Sequence, residues 1–310
     1  MSKSTTFPGG VWPTMITPFT DANEIDYASL DHMVEWYLER SVDGLFAVCQ
    51  SSEMFYLSLQ ERFELADYVC HAVDGRAPVI ASGHVSDAMD EQIQEIRAIA
   101  DAGAAACILV TNRLAAADEP DDVLQRNLEI ILKEIPDIPL GFYECPYPYK
   151  RLLSPELLHW CADSGRFYFL KDTSCDVESI RKKADAVRGT DLRIYNANAQ
   201  TLLSTQALGD VGYSGIMANF HPELYVWALD HIAEQDDLAQ EVFDFLALSA
   251  LIEHELYPVN AKYYLQLEGV VTSLHTRVKD AALLTPTRRL QVEQLHRLSR
   301  RLYNRCCSVA

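Results

Sequence analysis

Lys171 ends the apolar stretch "FYFLKDTS", Phe167 to Ser174, where an ammonium group is out of place. A strand lays alternate side chains on opposite faces, so Phe167, Phe169, Lys171 and Thr173 are expected on one face and Tyr168, Leu170 and Asp172 on the other. If the two phenylalanines fill an interior, Lys171 points into its mouth. Desolvation disfavours the charged form of an amine and lowers its pKa, leaving a nucleophile that can condense with a ketone to a Schiff base. A lone lysine in such a place more often snorkels to water or pairs with an acid. The residues around it therefore decide the reading.

Tyr143 closes the run "IPLGFYECP", 28 residues before Lys171, on the face it shares with Gly141 and Cys145. That spacing is one strand–helix unit, and neighbouring strands stand only about 4.8 Å apart. A phenol there could hydrogen-bond a substrate or shuttle protons while an imine forms and a carbon skeleton is cleaved. Taken alone, it reads as a buried tyrosine with a satisfied hydroxyl. A third group, "CQSSE" from Cys49 to Glu53, follows another apolar run, and its hydroxyls and turn amides could hold a carboxylate. Ser and Glu also favour helix starts, so a capped turn is its plain alternative. His84 in "ASGHVSD" reads as a surface or helix-capping histidine and Cys145 as a small apolar filler.

These groups sit at the ends of apolar runs that alternate with amphipathic segments. The runs are "GGVWPTMITPF", "VDGLFAVC", "APVIASG", "AACILV", "IPLGFYEC", "RFYFLKDTS", "LRIYNAN" and "VGYSGIMAN". Helical patterns such as "DYASLDHMVEWYLER" and "SPELLHWCADSG" lie between them. Eight strands alternating with helices imply an α/β fold, a parallel (β/α)8 TIM barrel, whose active site lies at the carboxyl ends of the strands. A doubly wound sheet would usually carry a glycine-rich phosphate turn after its first strand, and neither GxGxxG nor GxxxxGK occurs. The remaining residues read as helix, including an arginine-rich final segment taken as a packed helix with a solvated face. With no Gly/Ser linker, residues 1–310 are read as a single domain, with the barrel over about 8–232 and a C-terminal helical extension over 233–310.

Composition narrows the function classes. Lys and Arg number 26 against 45 Asp and Glu, a formal charge of −19, so a nucleic-acid partner is not expected. Apolar residues at 49% suit a sizeable folded core, and no apolar run is long enough to span a membrane. The first ten residues show no secretory h-region, which makes the cytoplasm the expected location. Eight cysteines without a CxxC pair read as reduced core thiols. The histidines show no HExxH or paired spacing, so neither a metal nor another cofactor is expected, and chelation should not affect activity.

With these residues in order along nearly the whole chain, the sequence resembles the dihydrodipicolinate synthase and N-acetylneuraminate lyase family of Schiff-base barrels. The resemblance rests on "GVWPTMITPF", "CQSSE" where the family writes a Gly-Ser/Thr-Thr-Gly-Glu turn, the tyrosine of "GFYEC", and "LKDTS". It implies that Lys171 forms the imine with a 2-oxo acid, that Tyr143 relays protons, and that Ser51 and Ser52 lie beside the acid's carboxylate. Through "GYSGIMAN" it implies Ser214 near the bound ketone. It also implies a homotetramer.

Departures from the family bear on the substrate. Gln50 replaces the threonine that links two tyrosines into a relay, and where the second tyrosine would align this chain offers Arg113 and Leu114. The family's carboxylate-gripping arginine, five residues past the tyrosine, is Pro148, with Lys150 or Arg151 as substitutes. The acidic pair that holds sugar hydroxyls in the sialic-acid lyases aligns with Ala199 and Gln200. The expectation is a Schiff-base lyase (aldolase) acting on pyruvate or a related small-molecule 2-oxo acid with altered specificity, with Gln50 among the substrate-binding residues and Tyr147, Tyr149 and Arg113 as candidate specificity elements. Alternatives are a dehydratase of a deoxy-2-oxo sugar acid and a non-catalytic barrel that binds a small acid.

Overall fold

The computed structural model of the chain describes residues 7–206, 208–209, 211–233 and 237–309. Residues 1–6, part of the stretch in which no secretory signal is expected, lie outside these. Among the described residues seven regular strands follow one another: β1 (Leu45–Ala47), β2 (Val79–Ala81), β3 (Ala106–Val110), β4 (Leu140–Tyr143), β5 (Phe167–Asp172), β6 (Arg193–Asn196) and β7 (Val211–Tyr213). Each pairs in parallel with the next, in sequence order. The first apolar run forms no regular strand, since Pro13 in its middle has no N–H to give to a ladder. It still takes the eighth place. Val11 bridges Tyr213 of β7 and Thr14 bridges Phe46 of β1, both parallel. The Trp12 and Met15 amides donate to the Tyr213 and Phe46 carbonyls at 2.8 and 3.0 Å. The sheet thus closes into the expected (β/α)8 barrel.

Large aromatic side chains fill the interior below the site. Phe169 stacks on Tyr195 with ring centroids 3.9 Å apart, and both meet Trp12 edge-on. These rings need space that only glycine leaves. A Cβ at Gly212 would lie 2.4 Å from the Tyr195 ring, and one at Gly44 would lie 2.4 Å from Trp12. Phe167 does not join this layer as the simple alternation requires. The β4–β5 register slips between Leu140 and Gly141, so Tyr168 is passed over and Phe167 turns to the outer face, where it stacks on Phe142 at 4.5 Å. Beyond the slip the alternation holds, with Phe169 and Lys171 inward.

The helices begin where short polar residues cap them. Asp26 accepts from the Ser29 amide ahead of Tyr27–Leu38, Ser154 caps Pro155–Asp163 with proline at its first position, and Asp176 caps Val177–Ala186. That last helix returns Lys183 to the back of β4 and β5, where its ammonium meets Glu144 Oε1 at 2.5 Å and Asp172 Oδ2 at 2.6 Å. All three side chains are buried. Helices Asp237–Ser249, Val259–Leu267 and Pro286–Val309 follow the barrel. The turn Ala250–His254 between the first two of them and the loop after Val259–Leu267 reach the mouth of the barrel.

No helix among the described residues is long and apolar enough to cross a membrane.

Candidate active site

A cavity of about 470 Å³ opens at the carboxyl ends of the strands. Lys171 is opposite Tyr143 in the β4–β5 register, and its Nζ lies 4.7 Å from the Tyr143 ring centroid and 5.9 Å from that of Phe46. The side chain is only 3% exposed. Burial lowers its pKa to about 8, while the nearby Cys49, Cys145 and Glu253 pull the other way. Among the described residues, no carboxylate forms an ion pair with it. A lysine set on aromatic faces yields its free amine at a lower pH than an ordinary lysine does.

Tyr143 donates its hydroxyl to Gln50 Oε1 at 3.2 Å. Burial holds its phenol well above the usual range, so the group stays protonated. The Cys145 thiol also points at Gln50 Oε1, 3.4 Å away, with burial raising its pKa to about 11. Gln50 thus collects two donors on one amide oxygen.

The turn from Cys49 to Glu53 divides its side chains. Gln50 and Ser51 line the cavity, and Ser51 Oγ donates to Thr14 Oγ1 at 3.3 Å. Ser52 turns away, accepting from the Cys49 amide and donating to the Met15 carbonyl at 2.6 Å, so it holds the turn instead of facing a ligand. The amides of Ser52 and Glu53 close the turn onto the Cys49 and Gln50 carbonyls. Those of Gln50 and Ser51 find no acceptor among the described residues. Ser214 is fully buried just after β7, with its hydroxyl unpaired among the described residues, and it does not line the cavity.

The proposed specificity elements separate as clearly. Lys150 lines the cavity, and its Nζ donates to the Thr173 carbonyl at 2.6 Å. Arg151 is tied outward to Asp121 at 2.7 Å, and Arg113 to Asp87 at 2.6 Å. Tyr147 lines the cavity against Phe55, whereas Tyr149 donates to the Asn112 carbonyl and braces the loop. Asn112 Nδ2 lies 2.9, 2.9 and 2.7 Å from the carbonyls of Cys145, Tyr147 and Tyr149, which fixes the path of that loop. His84 is neither a surface nor a capping residue. It is buried, with Nδ1 accepting from Val110 N–H and Nε2 on Gln92 Oε1, and burial lowers its pKa to about 4, so it stays neutral.

The sequence reading missed the residues brought by the extension: Glu253, Tyr257 and Lys279 all line the cavity. Their signal was there, since Glu253 in "LSALIEHELYPV" is a charge set in an apolar run, as Lys171 is. Tyr257 faces Ser51 and accepts from Asn219 Nδ2 at 3.3 Å. Burial raises the pKa of Glu253 to about 7 against the pull of Lys171. Glu53 bolts the extension down. Its carboxylate accepts from the amides of Arg277 and Val278 at 2.6 and 3.1 Å and meets Lys262 at 3.4 Å. Among the described residues, no group of three or more His, Cys, Asp or Glu is arranged to hold a metal ion.

A model of the Dihydrodipicolinate synthetase family matches residues 7–297. The 4-hydroxy-tetrahydrodipicolinate synthase of Cyanothece sp. is 26% identical over 263 residues, 84% of this chain and 88% of that protein. Its namesake from Psychrobacter arcticus is 27% identical over 266 residues, 84% of this chain and 86% of that protein. Among solved structures, dihydrodipicolinate synthase from Acinetobacter baumannii complexed with pyruvate superposes with a TM-score of 0.82 at 22% identity, over 95% of this chain and 99% of that one. A prophage protein of the dihydrodipicolinic acid synthase family from E. coli K12, in complex with pyruvate, gives 0.83 at 23% identity, over 94% and 98%.

Proposed function

Since the chain belongs to the dihydrodipicolinate synthetase family and is an aldolase-type lyase, we propose that it forms a Schiff base between Lys171 and pyruvate or a longer 2-oxo acid, then makes or breaks a carbon–carbon bond. The observation that carries this reading is the lysine itself, buried on the Tyr143 ring with its pKa pulled down to about 8. Its lone pair attacks the ketone carbon. The Tyr143 hydroxyl gives the departing oxygen a hydrogen bond as water leaves, and the Gln50 and Ser51 amides take the acid's carboxylate. The protonated imine then draws electrons from the adjacent carbon and lets an enamine form where a free carbanion could not.

The partner differs from that of the synthases the chain resembles. An amide at Gln50 and a proline at Pro148 stand where that chemistry uses a hydroxyl and an arginine. Lys150 and Lys279 both line the cavity, suiting a substrate whose far end is acidic or rich in hydroxyls. A dehydratase of a deoxy-2-oxo sugar acid would start from the same imine.

The deciding experiment is incubation with pyruvate and sodium borohydride, followed by peptide mapping, on wild type and Lys171→Ala. A reduced adduct on Lys171 that is absent from the variant is expected. No adduct in wild type, with pyruvate or with a panel of longer 2-oxo acids, would overturn the Schiff-base reading in favour of a barrel that only binds small acids.

A further inference from the structure

We propose that Glu253 is the catalytic acid–base group that moves the proton at C3 of the 2-oxo acid bound to Lys171, an assignment that rests on the Schiff-base reading above. Three observations lead there. The first is that the Tyr143 hydroxyl donates to Gln50 Oε1. A hydroxyl in that place could accept one proton and pass on another, but a carboxamide gives up no proton at neutral pH. The Cys145 thiol, which also contacts Tyr143, stays protonated with its pKa raised to about 11 and points at the same Gln50 oxygen, so both paths from Tyr143 end at Gln50 and leave the phenol a fixed donor and not a shuttle.

The second concerns the acids available. Only Glu53 and Glu253 line the cavity among the described residues. The carboxylate of Glu53 is committed to Lys262 and to the Arg277 and Val278 amides. That of Glu253 accepts no hydrogen bond from the described residues, although it is half-buried and within electrostatic reach of Lys171. The third is chemical fit. A carboxyl titrating at about 7 is populated in both forms at neutral pH, as a group that must take and return a proton requires.

The step balances without a further reagent. The Glu253 carboxylate removes a C3 proton from the iminium. The C–H pair becomes the C2–C3 double bond, and the C=N pair returns to nitrogen, giving a neutral enamine and a carboxylic acid. When C3 then attacks an aldehyde carbon, the iminium is restored and the proton of Glu253 passes to the new hydroxyl oxygen. Cleavage runs the same transfers backwards.

Pyruvate alone tests this, by NMR measurement of the exchange of its methyl protons in D2O, with borohydride trapping run in parallel on wild type and Glu253→Gln. Trapping on Lys171 is expected in both proteins, with methyl exchange slowed about 100-fold or more in the variant. In wild type the exchange rate should rise with pH through about 7, and in the variant, with exchange divided by the trapping rate measured at the same pH to remove the Lys171 limb, that rise should be absent. Besides Lys171, the titratable groups that act on Glu253 are Cys175, Tyr213, Tyr225 and Tyr257, all raised by burial, so none of these four supplies a limb there. Normal exchange in a variant that still traps pyruvate would overturn the assignment and leave the Schiff-base reading intact. Loss of trapping in the variant alone would place Glu253 at imine formation instead of C3, and absence of trapping in wild type would remove both.

Discussion

Lys171 Nζ lies over the Tyr143 ring, 4.7 Å from its centroid, because β4 and β5 set the two residues opposite each other in register. An aromatic face offers an ammonium some attraction but far less than water does, so the charged form is left poorly solvated.

Imine formation should follow the free amine. Burial brings the Lys171 pKa to about 8, and an ammonium cannot attack a ketone. The rate of borohydride-trapped adduct formation should therefore climb about tenfold per pH unit below 8 and level off above it. A climb that continues towards pH ~10.4, the range of an ordinary lysine, would contradict the desolvated setting.

Tyr143→Phe keeps the ring under Lys171 and removes the hydroxyl. Imine formation should slow by about 100-fold or more, the usual worth of a preorganised hydrogen-bond donor aimed at developing charge. Stability should change by only about 1 kcal/mol, the loss of one hydrogen bond to Gln50. Trapping kinetics and urea denaturation on one preparation separate the two effects. An unchanged trapping rate would remove Tyr143 from the chemistry.

Lys171 and Tyr143 were legible because both signals are local: a polar residue ending an apolar strand, repeated one strand–helix unit apart. Phe167 was misassigned because a register slip depends on how β4 and β5 fit together, which alternation within one strand cannot reveal. Ser51 and Ser52 are adjacent in a turn, where no period says which faces the ligand, and the fold sends Ser52 to the Met15 carbonyl. Glu253 and Tyr257 lie more than 80 residues beyond Lys171 in sequence. Only the packing of the extension over the barrel mouth makes them part of the site.

The buried Lys183 should matter more to stability than any surface charge. Lys183→Met leaves Glu144 and Asp172 facing each other without their shared ammonium, in a place where burial already pushes Glu144 up to about 7. Removing one partner of such a group typically costs about 3–5 kcal/mol. Both carboxylates flank the strand ends that carry Tyr143 and Lys171, so pyruvate trapping should weaken as well. Denaturation midpoints and trapping yield measure this, and a loss under about 1 kcal/mol would show that the pair's burial is offset by water or by protonation.

Glu53→Gln gives a contrasting case, because its partner can shed its charge. Lys262 is fully buried, and burial lowers its pKa to about 8, so losing the carboxylate 3.4 Å away should leave a neutral amine at pH 7 and not a stranded ion. The glutamine oxygen can still accept from the Arg277 and Val278 amides, which hold the loop that carries Lys279. The destabilisation should therefore stay near 1–2 kcal/mol, about the worth of a hydrogen bond between charged groups and well below that of Lys183→Met. Pyruvate trapping should persist, because Lys171 and Tyr143 sit on strands that this bond does not touch. Turnover of larger substrates should fall through a raised KM as the loop loosens. Comparing the two variants by denaturation and the trapping rate tests the ordering, and equal losses of stability would mean that Lys262 keeps its charge when unpaired.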